Sequence, residues 1–338
     1  MKDIASQLGV SVALVSYVLN GKKTNKISAQ TAARIKALAA QMNYSPNQIA
    51  KSLKTNRTYT LGLIVADISN LFYSSIAKYI EEQANANGYH VIYASAHEDP
   101  DRFGAILNLL LSRQVDGFIL ALPENGERWI ELLEDQHRPY VIIDRKSACY
   151  PDAPSILLDN RDASEQIVTH LVANGYKRPG LVTINRNLLH LEERKLGYAD
   201  TCKSLLGVEP YVYELEEGRL EEQMQEIIQQ AVYTDRVDSL CFFTNKVAMA
   251  GLSEIATINM AVPEQLGIVC FDEAAAYKLF RTSITYLKQP IEAMSKAAVE
   301  YLVTLLDSKD EKPEKGSRQF KGSLIVNNSS VKKSTPQC

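Results

Sequence analysis

Apolar positions in the first 45 residues recur at helical spacing in three short segments. We expect the first helix to end at Gly9, the second to begin after Ser11 and the third after Ser28, because glycine often ends helices and serine often caps them. The apolar positions that would form the buried faces are Ile4, Ala5 and Leu8, then Leu14, Val15, Val18 and Leu19, then Ile35, Leu38, Ala39 and Met42. Three short helices, the first two joined by a tight turn, predict a helix-turn-helix domain.

Beyond residue 60 the pattern changes to short apolar runs that alternate with amphipathic stretches. The runs with the length and content of a strand are LGLIVA, VIYAS, DGFILA, YVIID, SILLD, PGLVTI, SLCFF and LGIVCF. Strands that alternate with helices are typical of parallel sheets flanked by helices in an α/β fold. The strand–helix order repeats weakly along this part of the chain, so we expect two similar lobes.

The formal net charge of −3 is distributed unevenly along the chain. Residues 1–60 contain nine basic residues and one acidic residue, a net charge of +8. The remainder contains 28 basic and 39 acidic residues, a net charge of −11. A cationic head on an acidic body favours binding of a polyanion such as DNA. A solvated basic face or a disordered basic tail is the alternative, but the charges of the head are interleaved with a helical apolar pattern.

The second predicted helix leaves one side free for a DNA groove. The residues on the exposed side of its N-terminal end are Ser11, Val12, Ala13, Ser16 and Tyr17. Short side chains allow close approach to the major groove, and hydroxyls can bind phosphates or base edges. Lys22, Lys23 and Lys26 would then lie beside the DNA backbone. A three-helix scaffold that binds another protein is the alternative, which the positive charge disfavours.

A series of motifs runs along nearly the whole chain. In the head they are KDIA, GVS, VLNG and NYSPNQIAKSL, followed by a strand that leads into DISNLFY. In the body they are VIIDR, HLVANGYKR, ERKLGY, FFTN, VPEQLGIVCFDE and YLKQP. Together, and in this order, they resemble the lactose/galactose repressor (LacI/GalR) family of bacterial transcriptional regulators.

The resemblance implies a hinge helix at Asn47–Leu53, with Leu53 inserted into the minor groove at the centre of a palindromic operator. A helix this short is marginal in water, so we expect it to form when two copies pack together on DNA. Ordinary interdomain packing is the alternative role for Leu53. The residues predicted to contact DNA are Ser11, Val12, Ala13, Ser16, Tyr17, Asn20, Ser28, Thr31, Asn47, Ala50, Lys51 and Leu53.

The body, by the same resemblance, is similar to the two-lobed sugar-binding proteins of the bacterial periplasm. We expect three crossings between the lobes, near residues 158–161, 288–291 and 322–326. The predicted organisation is a helix-turn-helix domain at 1–46, a hinge helix and linker at 47–59, an effector-binding and dimerisation domain at 60–326, and a disordered tail at 327–338. The predicted N-lobe comprises residues 60–159 and 291–322, and the predicted C-lobe comprises residues 160–288 and 323–326.

Polar and aromatic residues at the carboxyl ends of the predicted strands indicate a ligand site between the lobes. Carboxylates and amides would bind the hydroxyls of a sugar, and aromatic rings would stack on its C–H faces. By resemblance, the effector contacts are Phe72, Tyr73, Asp144, Arg194, Asn245, Asp272 and Gln289. A turn or helix-cap role is the alternative for each, and it competes equally for Asp67, Asn70, Asp159 and Asn160.

Four features depart from the family's pattern. Tyr17 stands where arginine is common, and the loop GKKTNKIS is longer than usual, so the operator half-site is expected to differ. Leu71 replaces a common proline, and Lys246 replaces the aspartate that usually follows Asn245. We hypothesise that Lys246 and Arg194 favour an acidic effector, such as a uronate or a sugar phosphate, unless Lys246 points out of the cleft.

The sequence lacks the motifs of the common enzyme classes. It contains no phosphate loop, dinucleotide-binding fingerprint, nucleophile elbow or HExxH motif, and its five histidines have no metal-ligand spacing. We therefore expect no enzyme activity, no cofactor and no metal. A sugar-binding transport protein and an α/β enzyme with a nucleic-acid-binding appendage are the alternatives.

The partners expected from the sequence are a double-stranded DNA operator, a small carbohydrate-like effector and a second copy of the chain. The chain has scattered cysteines, no apolar leader and no apolar run long enough to span a membrane, which predicts a cytoplasmic protein without a membrane partner. A leucine-heptad tail is absent from the sequence, so a dimer is expected.

Overall fold

The computed structural model describes residues 1–19, 27–44, 57–307 and 316–331. The chain divides into two compact units, Met1–Thr58 and Tyr59–Cys338. Among the helices of the described ranges, none is both long enough and apolar enough to cross a membrane.

The described part of the first unit contains three helices, α1 (Lys2–Leu8), α2 (Val12–Leu19) and α3 (Ala29–Gln41). Helix α1 ends at Gly9, whose φ of 63° lies in the left-handed region that glycine adopts without steric cost. The Ser11 hydroxyl accepts a hydrogen bond from the Leu14 N–H (3.2 Å) at the start of α2. The Ser28 hydroxyl likewise accepts one from the Thr31 N–H (3.1 Å) at the start of α3. These helix ends are the ones that the sequence predicts.

A small apolar core holds the three helices together. Its fully buried members are Ile4, Ala5, Val15, Val18, Ile35 and Ala39, with Leu8, Leu14, Leu19 and Leu38 packed at its edge. The prediction that Met42 belongs to this buried face is wrong, because Met42 is the C-cap of α3 and is 39% exposed. It lies one residue beyond the last helical position, so it no longer follows the helical periodicity.

The first lobe of the second unit, called the N-lobe, is a six-stranded sheet covered by helices. Its strands are β1 (Thr60–Val65), β2 (His90–Ser95), β3 (Gly117–Leu120), β4 (Tyr140–Ile143), β5 (Ser155–Leu158) and β11 (Ser317–Phe320). Its helices are α4 (Leu71–Ala86), α5 (Pro100–Ser112), α6 (Arg128–Asp135) and α11 (Ile291–Asp307). The strand order is β11-β5-β4-β3-β1-β2, and all pairs are parallel. The inner strands are buried on both faces, which explains their continuous apolar runs.

The second lobe, called the C-lobe, repeats this architecture. Its strands are β6 (Pro179–Ile184), β7 (Tyr211–Leu215), β8 (Ser239–Phe242), β9 (Gly267–Phe271), β10 (Thr285–Lys288) and β12 (Ser323–Ile325). Its helices are α7 (Asn160–Ala173), α8 (Leu189–Leu206), α9 (Leu220–Gln229) and α10 (Asn245–Thr257), with short helical turns at Glu217–Arg219, Gln230–Thr234, Ala275–Leu279 and Asn328–Ser330. The strand order is β12-β10-β9-β8-β6-β7, and β12 alone in this order is antiparallel to its neighbour.

The chain crosses between the two sheets three times in the described ranges. The crossings lie between β5 and α7, between β10 and α11, and between β11 and β12. The third crossing is at residues 321–322, slightly before the predicted stretch, because Ser323–Ile325 already belongs to the second sheet. The predicted fold class, a helical head followed by a two-lobed α/β domain with parallel sheets, is confirmed.

Residues 327–331 are not the disordered segment that their polar composition predicts. They include a helical turn in which Ser329 and Ser330 are fully buried against the C-lobe. The Ser329 hydroxyl accepts a hydrogen bond from the Thr285 N–H (2.8 Å) and donates one to the Ile268 carbonyl (2.7 Å). Composition misled the prediction because these hydroxyls serve buried backbone groups that need partners. Residues 332–338 lie outside the described ranges.

Candidate functional site

The N-terminal end of α2 presents four of the predicted DNA contacts to solvent. Ser11, Val12, Ala13 and Tyr17 are exposed, and Ser16 is half-buried. Val12 is 43% exposed and Tyr17 is 38% exposed, although both are large apolar or aromatic side chains. The opposite side of the helix packs into the small core through Val15 and Val18, so this side faces solvent.

Two other predicted DNA contacts, Ser28 and Thr31, are engaged with each other at the start of α3. The Ser28 hydroxyl lies 2.8 Å from the Thr31 hydroxyl, in addition to accepting the Thr31 N–H. The pair therefore has a structural role as the cap of α3, in addition to the predicted contact with DNA. Asn20, Asn47, Ala50, Lys51 and Leu53 lie outside the described residues, as does the predicted hinge helix.

A cavity of about 70 Å³ lies between the two lobes of the second unit. It is lined by residues that follow β1 and β4 in the N-lobe and β6, β8 and β9 in the C-lobe. Of the predicted effector contacts, those that line it are Phe72, Tyr73, Asp144, Arg194, Asp272 and Gln289. Asn245 is buried at the start of α10, between the lining residues Thr244 and Lys246. The carboxyl ends of the strands of both lobes thus meet at one site, as expected of open α/β sheets.

Asp144 is the buried carboxylate on the N-lobe side of the cavity. It follows β4 directly, and its backbone has a φ of 72°, which is unusual for a residue with a side chain. The Tyr73 hydroxyl, from the first turn of α4, donates a hydrogen bond of 2.7 Å to Asp144 Oδ2. Burial raises the pKa of Asp144, against the lowering effects of Arg145 and of the Tyr73 hydrogen bond.

Asp272 is the matching carboxylate on the C-lobe side. It follows β9 directly, has a φ of 69°, and accepts a hydrogen bond of 2.6 Å from Gln289 Nε2. Burial raises its pKa as well, and the nearby Arg194 guanidinium opposes that rise. The two lobes therefore place equivalent carboxylates, held in the same uncommon backbone conformation, on either side of one cavity.

Arg194, on α8, is the buried cation of the site. Its Nε donates to Asn160 Oδ1 (2.8 Å), and its Nη1 donates to the Phe243 carbonyl (2.8 Å). The guanidinium carbon lies 3.6 Å from the centroid of the Phe271 ring, which fixes the plane of the group. Burial lowers the pKa of Arg194, and the carboxylates of Asp272 and Asp144 counteract that lowering. The cation is thus positioned by neutral partners and balanced by the two aspartates.

Four buried polar atoms at or beside the cavity have no hydrogen-bond partner among the described residues. They are Arg145 Nε, His190 Nδ1, Asn245 Nδ2 and Gln289 Oε1. Leaving a buried polar atom unpaired costs about 1–3 kcal/mol, so a cluster of them is expected where a ligand supplies the missing partners. Burial lowers the pKa of His190 well below its ordinary value, so its ring is neutral near pH 7. The set offers donors and an acceptor to a polar ligand.

Lys246 points into the cleft, and its charge is already paired. Its Nζ lies 3.0 Å from Asp67 Oδ2 in the N-lobe and 2.8 Å from Glu217 Oε1 in the C-lobe. Burial lowers the pKa of Lys246, but the hydrogen bonds to the Glu217 and Asp67 carboxylates more than compensate and raise it. Lys246 therefore points into the cleft, as the acidic-effector hypothesis requires. Its charge, however, is already paired with two carboxylates of the protein.

Helix-cap and turn roles account for several strand-end residues. Asn70 caps α4 through a 3.0 Å hydrogen bond from the Phe72 N–H, and Asp159 caps α7 through one of the same length from the Asp162 N–H. Asp67 accepts the Ser69 N–H (3.0 Å) and also binds Lys246, so it combines both roles. Asn160 serves the site indirectly, through Arg194.

Sequence reasoning missed His190, Glu98, Arg186 and Glu217, all of which line the cavity. Glu98 precedes α5 and has a φ of 58°. A positive φ at a residue other than glycine cannot be predicted from the sequence. The other three lie at or near the starts of helical segments. Glu98 and Arg186 lie within three residues of the ends of β2 and β6, which the sequence predicts, so their position after a strand could have identified them. Glu217 follows β7, which has no continuous apolar run, and His190 lies inside α8.

The fold and the cavity define a two-lobed ligand-binding regulator with a helix-turn-helix head. Residues 58–231 match the sequence profile of the periplasmic binding proteins and sugar binding domain of the LacI family, residues 168–330 match that of the periplasmic binding protein-like domain, and residues 1–47 match that of the bacterial regulatory proteins of the lacI family. The chain belongs to the LacI family of bacterial regulatory proteins. It is a DNA-binding transcriptional regulator and not an enzyme.

A curated relative agrees with this assignment, and two solved structures share the fold. The HTH-type transcriptional regulator RegA of Clostridium saccharobutylicum is 26% identical over 314 residues, which cover 92% of this chain and 93% of RegA. The Lac repressor dimer bound to operator and the anti-inducer ONPF superposes with a TM-score of 0.83 at 20% identity, covering 98% of both chains. The transcriptional regulator CelR in complex with cellobiose superposes with a TM-score of 0.69 at 21% identity, covering 96% of this chain and 98% of CelR.

Proposed function

We propose that the protein is a transcriptional repressor that binds a palindromic operator as a homodimer in the cytoplasm. A small, uncharged, carbohydrate-like effector binds in the interlobe cavity and changes the affinity for that operator. The observation that carries the proposal is the presence, in one chain, of a reading helix in a basic head and of a cavity lined by unpartnered buried polar atoms. A transport protein has no use for the head, and the cavity of an enzyme would need catalytic groups.

Support for operator binding comes from the chemistry of the head. Residues 1–60 carry a net charge of +8, and the exposed end of α2 carries short side chains that can approach base edges. Tyr17 adds an exposed phenol at the position where the family commonly has arginine. We infer that the half-site read by this protein differs from those of the family's arginine-bearing members at the base pairs nearest Tyr17.

Support for a homodimer comes from apolar side chains exposed on the second unit. Leu279 is 89% exposed, and Leu71, which is 52% exposed, lines a groove of about 1310 Å³. Tyr93 on the edge strand β2 is 60% exposed. Large apolar side chains that share a surface favour an interface. Replacing Leu279 with aspartate is expected to weaken self-association, measured by sedimentation velocity across a concentration series.

Support for an uncharged effector comes from the charges that line the cavity. The carboxylates are Asp67, Glu98, Asp144, Glu217 and Asp272, and the cations are Arg145, Arg186, Arg194 and Lys246. Lys246 and Arg186 each contact two carboxylates, so neither is left for an anionic ligand. An added anion would meet more negative than positive charge. The acidic effector considered from the sequence is therefore not the one we propose.

The proposal is tested first by selecting bound duplexes from a random DNA pool with the full chain. We expect an inverted repeat, with the logarithm of the binding constant falling linearly as the logarithm of salt concentration rises. Enrichment of no sequence, or of a single asymmetric site, would contradict operator binding by a symmetric dimer.

The effector class is tested on the selected duplex with matched pairs of neutral and acidic sugars. Glucose with glucuronate, and galactose with galacturonate, differ at one carbon and compare charge at nearly constant shape. We expect the responses to be confined to neutral members across a wider panel of this kind. A stronger response to a uronate than to its neutral partner would restore the acidic reading of Lys246.

A further inference from the structure

Six charged side chains that line the cavity form a continuous series of ion pairs. In order they are Arg145, Glu98, Arg186, Glu217, Lys246 and Asp67, and we call this series the charge chain. The nitrogen–oxygen distances along it are 2.6, 3.2, 2.8, 2.8 and 3.0 Å. The signs alternate at every step, so each member is attracted by both of its neighbours.

Two of these links join different lobes. Glu98, which precedes α5 in the N-lobe, contacts Arg186, which follows β6 in the C-lobe. Asp67, which follows β1 in the N-lobe, contacts Lys246 in the first turn of α10 in the C-lobe. Within the C-lobe, Glu217 contacts both cations and holds them side by side. The charge chain therefore joins the lobes through two ion pairs, and Glu217 links the two cations of those pairs.

The members of the charge chain are more shielded from water than ordinary surface ion pairs. The side chains of Glu98 and Asp67 are 13% and 17% exposed, and those of Arg186 and Lys246 are 24% and 33% exposed. Partial burial reduces screening by water and salt, which makes these pairs stronger than fully exposed ones. Burial alone would raise the pKa of Glu98, but the hydrogen bonds and charges of Arg145 and Arg186 lower it.

The cavity behind the charge chain is too small for a ligand of the proposed class. Its volume is about 70 Å³, whereas ligand pockets are typically about 300–1,000 Å³. Phe72, Asp272 and Gln289 also line the groove of about 1310 Å³, but the space beside Lys246 and Arg186 belongs to the smaller cavity. A sugar held within that space requires the lobes to move apart, and this movement breaks the two interlobe ion pairs.

We propose that Lys246 and Arg186 are positioning residues that hold the lobes closed at the cavity, and that they do not bind the effector. The ligand-free protein then exists as an equilibrium between closed and open lobes, in which the charge chain favours the closed form. This proposal deepens the proposed function, and rests on it only for the identity of the ligand that the cavity admits.

The test measures solvent access to the floor of the cavity in the ligand-free full chain, by hydroxyl-radical footprinting with mass spectrometry. Phe72 and Tyr73 report on lobe opening, because they line the cavity and are 6% and 2% exposed. Phe118 and Tyr198 report on unfolding, because each is fully buried inside one lobe. An opening of the lobes would expose the first pair and leave the second pair protected.

The variants are Lys246→Met and Asp67→Asn, which each remove one interlobe ion pair. The matched control is Lys195→Met, because Lys195 also contacts two carboxylates, Glu192 and Glu214, but both lie in its own lobe. Lys246→Arg keeps the charge and is expected to behave as the unaltered protein does. Asp67→Asn keeps an oxygen for the Ser69 N–H, so the turn after β1 is preserved.

We expect Lys246→Met and Asp67→Asn to label Phe72 and Tyr73 about threefold to tenfold faster, which corresponds to the loss of an ion pair of roughly 1 kcal/mol. Lys195→Met should leave their labelling unchanged, Phe118 and Tyr198 should stay protected in every variant, and high salt should shift the unaltered protein towards the open form. Equal labelling of Phe72 and Tyr73 in Lys246→Met and in the unaltered protein would overturn the proposal. An equal increase in Lys195→Met would also overturn it.

The experiment uses neither DNA nor effector, so its failure would leave the proposed function standing, and failure to find an operator would not affect its result.

Discussion

At the residue scale, the site is built from pairs of equivalent groups, one from each lobe. Asp144 and Asp272 each follow a central strand with a positive φ, and each is held by a neighbouring hydroxyl or amide. A positive φ at a residue with a side chain is costly and persists where the surroundings enforce it. Here the backbone N–H of each aspartate bonds to a carbonyl of the adjacent strand, Ile156 or Leu287, which turns the side chain towards the cavity.

Glu98 is the residue whose contribution should depend most clearly on pH. Its pKa lies below the ordinary value of 4.5, so its stabilising effect is fully present above that value and is lost as pH falls through the lowered pKa. Replacing Glu98 with glutamine removes the nearer of the two carboxylates that pair with the buried Arg145 and leaves Asp144 at 3.7 Å, which should cost about 3 kcal/mol of unfolding free energy near pH 7. The difference between Glu98→Gln and the unaltered protein should shrink below about pH 4.5, measured by urea denaturation across pH. A constant difference down to pH 3 would refute the ionic account of Glu98.

Sequence reasoning found the site residues that carry a local signal and missed those that meet only in space. Asp144 and Asp272 were accessible because each stands directly after a strand-like apolar run, and the family resemblance added Arg194 and Gln289. Glu98 lies three residues beyond the predicted run VIYAS and not directly after it, and His190 lies inside α8. Their part in the site depends on how two lobes close, which is determined by contacts between residues far apart in the chain.

At the element scale, helices α7 and α8 approach each other closely because Gly197 has no side chain. A Cβ at this position would lie 2.8 Å from the Arg161 carbonyl oxygen and 2.9 Å from the Arg161 Cα. These are backbone atoms, so the helices themselves would have to separate. The same two helices carry Arg194 and Asn160, whose hydrogen bond orients the cation of the site.

Gly197→Ala should therefore reduce both stability and ligand response. We expect a loss of about 1–3 kcal/mol in the free energy of unfolding, because small-to-large changes at a packed contact force the backbone to move. The control is Gly218→Ala, since a Cβ at Gly218 has no atom within 4 Å. Equal stabilities of the two variants in chemical denaturation would show that the close approach of α7 and α8 does not contribute to the free energy of unfolding.

The helical turn at Asn328–Ser330 fastens the end of the described chain to the C-lobe. Ser329→Ala leaves the buried Thr285 N–H without its acceptor, which should cost about 1–3 kcal/mol. Ser253→Ala, on the exposed side of α10, is the control and should change stability little. Thermal unfolding of both variants would reveal the difference, and identical unfolding curves would argue against a role for this turn.

Among the elements, the strands with apolar runs were predictable, including the edge strand β2, and the other three edge strands were not. All eight predicted runs are strands, but β7, β11 and β12 have no continuous apolar run because they lie at or near sheet edges and are partly exposed. The buried turn near the C-terminus was missed for a related reason. Its polar residues are buried because they satisfy backbone groups of other strands, and composition reports burial only for apolar side chains.

At the scale of the whole molecule, the proposed function means that effector binding in the cavity changes the affinity of the head for DNA. Such coupling is reciprocal and typically amounts to about 1–3 kcal/mol, or about 5-fold to 150-fold in affinity. The cavity can supply that energy, because both lobes line it and a ligand there contacts both of them. A ligand that bound one lobe alone would change the balance between open and closed forms much less.

The most direct measurement is the affinity of the full chain for its selected duplex with and without fractionated metabolites, in the unaltered protein and in Asp272→Asn. The substitution preserves the shape of the side chain and an acceptor for Gln289, but removes the buried charge beside the cavity. We expect one neutral metabolite fraction to change the affinity of the unaltered protein for DNA within the range given above. The same fraction should have at least about tenfold less potency on Asp272→Asn, whose affinity for DNA without metabolites is unchanged. No response to any fraction, or the same response in both proteins, would contradict control of the head through this cavity.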